Sequence, residues 1–145
     1  MNNEKDQYFV AVKLFLENNQ GQLLLTKDRF GDWDLPGGRL KTDDFTVALE
    51  KVVDRKIKEE LGEEIKINLC EPKVFLRHER DEVLSSGQRE KRRIFAVGYA
   101  AKYLGGEVHL GKNHEKYEWV SKDSDFDKYL TGGWLQGVKD YLSLN

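Results

Sequence analysis

The chain has 145 residues, 39% apolar and 34% charged, long enough to bury a core beneath a heavily charged surface. Its 24 basic and 26 acidic residues leave a formal net charge of −2, without the basic excess of a dedicated nucleic-acid binder. The single cysteine, Cys70, excludes an internal disulfide and cannot build a cysteine-based zinc site alone. The opening MNNEKDQ is polar, with no apolar signal region behind a basic start, and no apolar run approaches the length of a membrane span. The expectation is one cytoplasmic domain over residues 1–145, with no membrane partner.

In chain order, YFVAVKLFLE and QLLLTKD, separated by NNQG, predict a hairpin, because β-branched and aromatic residues flank a turn-forming tetrapeptide. WDLPGG ends a short strand at a turn. From about Asp43 to Leu61 the pattern becomes helical: Phe45, Leu49, Val53, Ile57 and Leu61 recur every four residues as one apolar stripe. Thr42, Asp43 or Asp44 caps its start and Gly62 stops it. EIKINLCEPKVFLRHER and RRIFAVGYAAKYL read as long strands joined through SSGQ. Gly105 and Gly106 turn the chain into EVHLG; KYEWVS is a further strand, and DSDFDKYL and WLQGVKDYLSL are helical. The fold class is α/β or α+β, a mixed sheet packed between helices.

Glu59 and Glu60, adjacent on the helix, point about 100° apart, so both reach an ion lying over the helix end. Magnesium takes hard oxygen ligands, usually one or two carboxylates with waters and substrate phosphates. The glycines of PGG let bare backbone approach the same place. Two acids on a helix are more often a solvated face, so the pair alone says little. The order of features says more. Trp33, Leu35, Pro36, Gly37 and Gly38, then five residues and Asp44, then Arg55, Ile57, Glu59, Glu60 and Gly62, resemble the Nudix box.

That resemblance covers nearly the whole chain and implies a Nudix-like sheet-and-helix sandwich. It also implies a magnesium- or manganese-dependent pyrophosphohydrolase acting on a nucleoside diphosphate linked to another moiety. In it Glu59, Glu60 and the Gly37 carbonyl hold the metal, and Gly38, Asp44, Arg55 and Gly62 shape the box. The substrate would be a small phosphorylated molecule, and the family often pairs two copies into a homodimer through sheet or hairpin edges. The alternative is a Nudix-fold module that binds a nucleotide or protein without catalysis.

The box departs from its pattern. Ten residues, where the pattern has seven, separate Asp44 from Arg55; counted back from Arg55, the first acidic place holds Val47. The acid expected after Arg55 is Lys56. A unit charge about 5 Å from another contributes roughly 3 kcal/mol at an effective dielectric near 20, so the lysine opposes a nearby cation. Lys56 pairs with Glu59 or Glu60, contacts substrate phosphate, or is neutral drift; the sequence leaves all three open. Arg55 anchors the loop through Asp44 or Asp43, or makes a surface pair with Glu59.

A base to activate water is sought in VHLGKNHEKYEWVS, which resembles a late loop of some family members. His114 and Glu115 are the candidates, with Glu107 and His109 behind them; a solvated loop histidine is the plainer reading. The run RHERDEVLSSGQREKRR reads as a charged hairpin projecting into water, the alternative being that Arg77, Arg89, Arg92 or Arg93 faces the pocket; Arg39, Lys56, Arg77 and Arg93 are the candidate substrate-binding residues. Tyr8, Phe30 and Tyr99 suit base stacking, although strand aromatics are more often core, and Trp134 reads as packing. No phosphate-binding P-loop, dinucleotide fingerprint or serine nucleophile elbow is present.

Overall fold

A computed structural model describes residues 2–144. Seven strands and two α-helices follow one another as β1 (Phe9–Glu17), β2 (Gln22–Asp28), β3 (Trp33–Asp34), β4 (Gly37–Arg39), α1 (Leu49–Leu61), β5 (Lys66–Val83), β6 (Arg89–Gly105), β7 (His114–Ser121) and α2 (Gly132–Leu142). They build one mixed sheet in the order β3-β2-β1-β6-β5, with β4 paired to β1 and β7 to β2. β1 runs parallel to β6, from Phe9 opposite Ile94 to Glu17 opposite Lys102. The remaining pairings are antiparallel, including the long β5–β6 hairpin.

Alternation along β1 sends side chains to two cores, one on each face of the sheet. Val12, Leu14 and Leu16 join Val52, Val53, Ile57 and Leu61 of α1. Ala11 and Phe15 join Leu25, Leu76, Trp134 and Val138 on the α2 side. The four α1 residues are at most 2% exposed, and burying each stabilises the helix–sheet contact by about 1.5–3 kcal/mol. These layers match the expected mixed sheet between helices, with the class settled as α+β.

The predicted helix over 43–61 is shorter than expected. Residues Thr42–Thr46 form a 3-10 helix, Val47 is extended, and α1 begins only at Leu49. Phe45, assigned to the apolar stripe, is 92% exposed, whereas its neighbour Asp44 is 2% exposed. The buried carboxylate, not the phenyl ring, anchors this segment, and the three extra box residues are absorbed in it. EVHLG forms no strand, and of DSDFDKYL only Phe126–Lys128 forms a 3-10 turn. Gly62 ends α1 as expected, with φ +97° and His109 packed close behind it. Among the described residues no helix is long and apolar enough to cross a membrane.

Candidate active site

The site is built where β4 pairs antiparallel with β1. Gly37 lies opposite Lys13 at φ +131°, and a Cβ there would stand 2.0 Å from the Val12 carbonyl oxygen. Only glycine lets the strands approach so closely. The approach brings the Gly37 N–H to the last turn of α1, where it donates to Glu60 Oε2 at 2.8 Å. Glu60 is largely buried, and its other oxygen lies 3.5 Å from His114 Nε2. Burial pushes the Glu60 carboxyl up to about 7, against the opposing pull of Lys13 and the Gly37 N–H. Burial likewise lowers the His114 imidazole, so it is neutral and able to accept a proton at pH 7.

In front of these groups lies a cavity of about 310 Å³, walled by Lys13, Asp34, Gly37, Arg80, His114 and Trp134 among others. Asp34 accepts from Lys13 Nζ at 2.9 Å and from its neighbour Leu35 N–H at 2.7 Å. Trp134 carries Lys13 Nζ 4.8 Å from its ring centroid and stacks on His78 at 4.3 Å. The Gly133 N–H donates to His78 Nδ1 at 3.0 Å, so the ring proton of a neutral His78 sits on Nε2.

The candidate residues are distributed unevenly around this cavity. Gly37, Gly38, Arg39 and His114 line it. Glu59 lies on the more exposed side of α1, with Oε1 3.5 Å from Arg55 Nε. Arg55 also reaches Asp44 through two hydrogen bonds of 2.6 and 2.8 Å, so of the partners raised for it from sequence Asp44 and Glu59 are engaged, and Asp43 makes no hydrogen bond or ion pair with it among the described residues. Asp44 further accepts the Lys41 N–H, and Arg55 holds its carboxyl well below the usual range. Lys56 runs along Gly38, and burial lowers its ammonium. No ion pair joins Lys56 to Glu59 or Glu60 among the described residues.

Four candidates stand away from the cavity or are otherwise engaged. Glu115 is half-exposed and pairs with Lys27 at 3.7 Å. Arg93 is held by Asp6 and Glu79. Arg77 is exposed and shares its sheet face with Phe75 and Glu79, because Leu76, which alternates with it, points into the α2-side core. Arg39 lines the cavity but is tied to Glu82 at 2.5 Å. Of the aromatics, Tyr99 is core, Tyr8 packs edge-on to Phe95, and Phe30 stands 84% exposed at the cavity mouth. Lys13, Asp34, Arg80 and Trp134 form the cavity without having been singled out as ligand-binding residues. His109, with Glu64 and Glu107, forms an exposed cluster on the other side of Gly62.

The donor set fits a hard divalent cation. Glu60 presents a desolvated carboxylate with no ammonium or guanidinium within 4.0 Å among the described residues, and Glu59 precedes it on the same helix end. Two carboxylates, with waters and substrate phosphates for the other positions, are what magnesium or manganese accepts. Lys56 beside Gly38 limits the charge available there.

The sequence profile described as the NUDIX domain matches residues 7–128. A nucleoside triphosphatase, NudI of Escherichia coli, is 27% identical over 114 residues, covering 74% of this chain and 79% of its own. The MutT protein of Methanosarcina mazei superposes with a TM-score of 0.72 at 21% identity, covering 97% of this chain and 96% of its own. A MutT NUDIX hydrolase of Burkholderia pseudomallei superposes with a TM-score of 0.64 at 26% identity, covering 93% of this chain and 98% of its own.

Proposed function

This chain belongs to the NUDIX domain family, and from that premise we propose that it is a divalent-metal-dependent hydrolase of the phosphoanhydride bond in a nucleoside diphosphate linked to another moiety. A nucleoside triphosphate, in which that moiety is phosphate, is the smallest such substrate and is the class named for the NudI relative. The observation that carries the reading is the buried Glu60, held between the Gly37 N–H and His114, two residues that line a cavity whose walls carry cations.

Glu60 and Glu59, with the Gly37 carbonyl, would hold magnesium or manganese, which when bound neutralises phosphate oxygens and the charge that develops on them. Glu60 Oε2 stays oriented by the Gly37 N–H. His114, neutral at pH 7 and beside Glu60, takes the proton of the attacking water. Lys56, whose ammonium lies beside Gly38, and Arg39, held by Glu82 at the cavity rim, would serve the phosphate chain. Asp44 and Arg55 hold the loop between β4 and α1 in place.

The same reading has the protein act in the cytoplasm on small molecules rather than on nucleic acid, as a homodimer. Support for pairing comes from the outer face of the β5–β6 hairpin. There Phe75, 67% exposed, and Tyr8 both pack on Phe95, and exposed aromatic clusters of this kind suit a protein contact. Sedimentation of native protein and of Phe75→Lys tests this; equal masses for the two would refute it.

The test of the activity is turnover of nucleoside triphosphates, nucleotide sugars and dinucleoside polyphosphates, in magnesium or manganese and in chelator. Metal-dependent release of phosphate or nucleotide is expected. A protein that binds such a ligand equally well in chelator and turns over none would be a binding module instead.

A further inference from the structure

Lys13 is 4% exposed in the middle of the central strand β1. Taking an ammonium out of water costs several kcal/mol unless it is paired and hydrogen-bonded. Two of its three N–H donors are accounted for, by Asp34 Oδ2 at 2.9 Å and by the Leu35 carbonyl oxygen at 3.2 Å. The third has no hydrogen-bond partner among the described residues and lies in a wall of the cavity beside the Trp134 ring. The fold has no evident need of the charge. Ala11 and Phe15, on the same face of β1, lie in an apolar core, and an apolar replacement of a buried ion pair is often neutral or stabilising.

The charges around Lys13 favour an anion. Lys13, Arg29, Arg39 and Arg80 line the cavity against two carboxylates, Asp28 and Asp34, although the chain as a whole is negative. Both acids are already engaged: Asp28 accepts the N–H groups of Phe30 and Asp32, and Asp34 holds Lys13 and the Leu35 N–H. Arg39 is tied to Glu82. Arg29 and Arg80 stand on long side chains at the rim. Lys13 is the cation fixed by the sheet, directly opposite Gly37, whose N–H holds Glu60.

We propose that Lys13 is a substrate-binding residue, its free N–H donating to a non-bridging oxygen of the substrate's phosphate chain while Asp34 and the Leu35 carbonyl hold the ammonium in place. This rests on the reading of the cavity as a phosphate site, and it adds a fixed cation beyond the box. A charge-assisted hydrogen bond of this kind is shorter and stronger than a neutral one.

Calorimetric titration of inorganic diphosphate, in magnesium and separately in chelator, tests it without requiring turnover. Lys13→Met, folded by circular dichroism, is expected to bind diphosphate at least about tenfold more weakly than native protein in both conditions. Lys13→Arg, which keeps a cation, should recover most of the loss. The double variant Lys13→Met/Asp34→Asn removes the carboxylate that Lys13→Met leaves without its partner, and decides the matter if the single variant does not fold. Diphosphate binding by either methionine variant within about twofold of native would overturn the proposal. So would a native protein that binds no diphosphate in either condition, even if it hydrolyses nucleotides. A native protein that turns over nothing, yet binds diphosphate through Lys13, would overturn the hydrolase reading and leave this one standing.

Discussion

Arg55 and Asp44 face each other through two side-chain hydrogen bonds, eleven residues apart, with the carboxylate 2% exposed. Strict box spacing would put Val47 in that place; the 3-10 helix over Thr42–Thr46 folds the three extra residues so that Asp44 arrives there instead. The loop between β4 and α1 therefore rests on one paired, hydrogen-bonded acid.

Removing that acid should loosen the loop without touching the cavity. Asp44→Asn is expected to lower the melting temperature by several degrees at neutral pH. Because Arg55 depresses the native carboxyl below its ordinary value of 3.8, its stabilisation is present above that value and is lost as pH falls toward the native one. The gap between native and Asp44→Asn should therefore shrink below about pH 4 in thermal melts.

Glu60 has the opposite sign. In the metal-free protein its carboxyl, raised from 4.5 to about 7, keeps a proton that the unfolded chain has lost. Between those values the native state binds more protons, so stability falls as pH rises, by up to about 3 kcal/mol. Denaturant titrations of native protein and Glu60→Gln in chelator isolate this, since His78 and His114 are common to both. The native protein should lose stability relative to Glu60→Gln between about pH 4.5 and 7, and magnesium should restore it. A difference that is flat with pH would contradict the account.

His114 and Glu115 are neighbours with different surroundings. His114→Ala is expected to lower kcat by about 10²–10⁴-fold with little change in KM, as loss of a general base does. Glu115, paired with Lys27 outside the cavity, should alter kcat less than about threefold when changed to Ala. Steady-state kinetics on whichever substrate the panel identifies would distinguish them, and a larger effect at Glu115 would reverse the assignment.

Lys56 stands where the box pattern has an acid. Lys56→Glu exchanges a repelling charge for an attracting one near Glu59 and Glu60. It is expected to tighten manganese binding by about tenfold or more, read by calorimetry. Unchanged affinity would mean that the ammonium lies clear of the metal.

Much of the fold was legible because its signals are local. The β1–β2 hairpin, the Gly62 stop and the Glu59–Glu60 end of α1 follow from turn chemistry and four-residue periodicity. The start of α1 was not, because Phe45 continues the apolar spacing and only tertiary burial of Asp44 breaks it. The charged hairpin misled for a related reason. In VFLRHER both strand faces carry an apolar residue, Phe75 on one and Leu76 on the other, so alternation alone could not say which was core. Once Leu76 is placed inward, His78 and Arg80 turn to the cavity side and Arg77 away from it. Lys13 gave even less signal. One lysine among alternating apolar residues reads as solvent-facing, and it is Asp34, the Leu35 carbonyl and Trp134 of α2, all distant in sequence, that enclose its ammonium.

The central claim is that Glu60 serves a metal-dependent hydrolysis, and turnover by Glu60→Gln beside native protein tests it most directly. The side chains are nearly isosteric, and the Gly37 N–H retains an acceptor in the amide oxygen, so the variant should fold with its cavity intact. The account predicts magnesium-dependent turnover by native protein, absent in chelator, and a loss of at least about 10³-fold in Glu60→Gln. Turnover by Glu60→Gln within a few fold of native would contradict it.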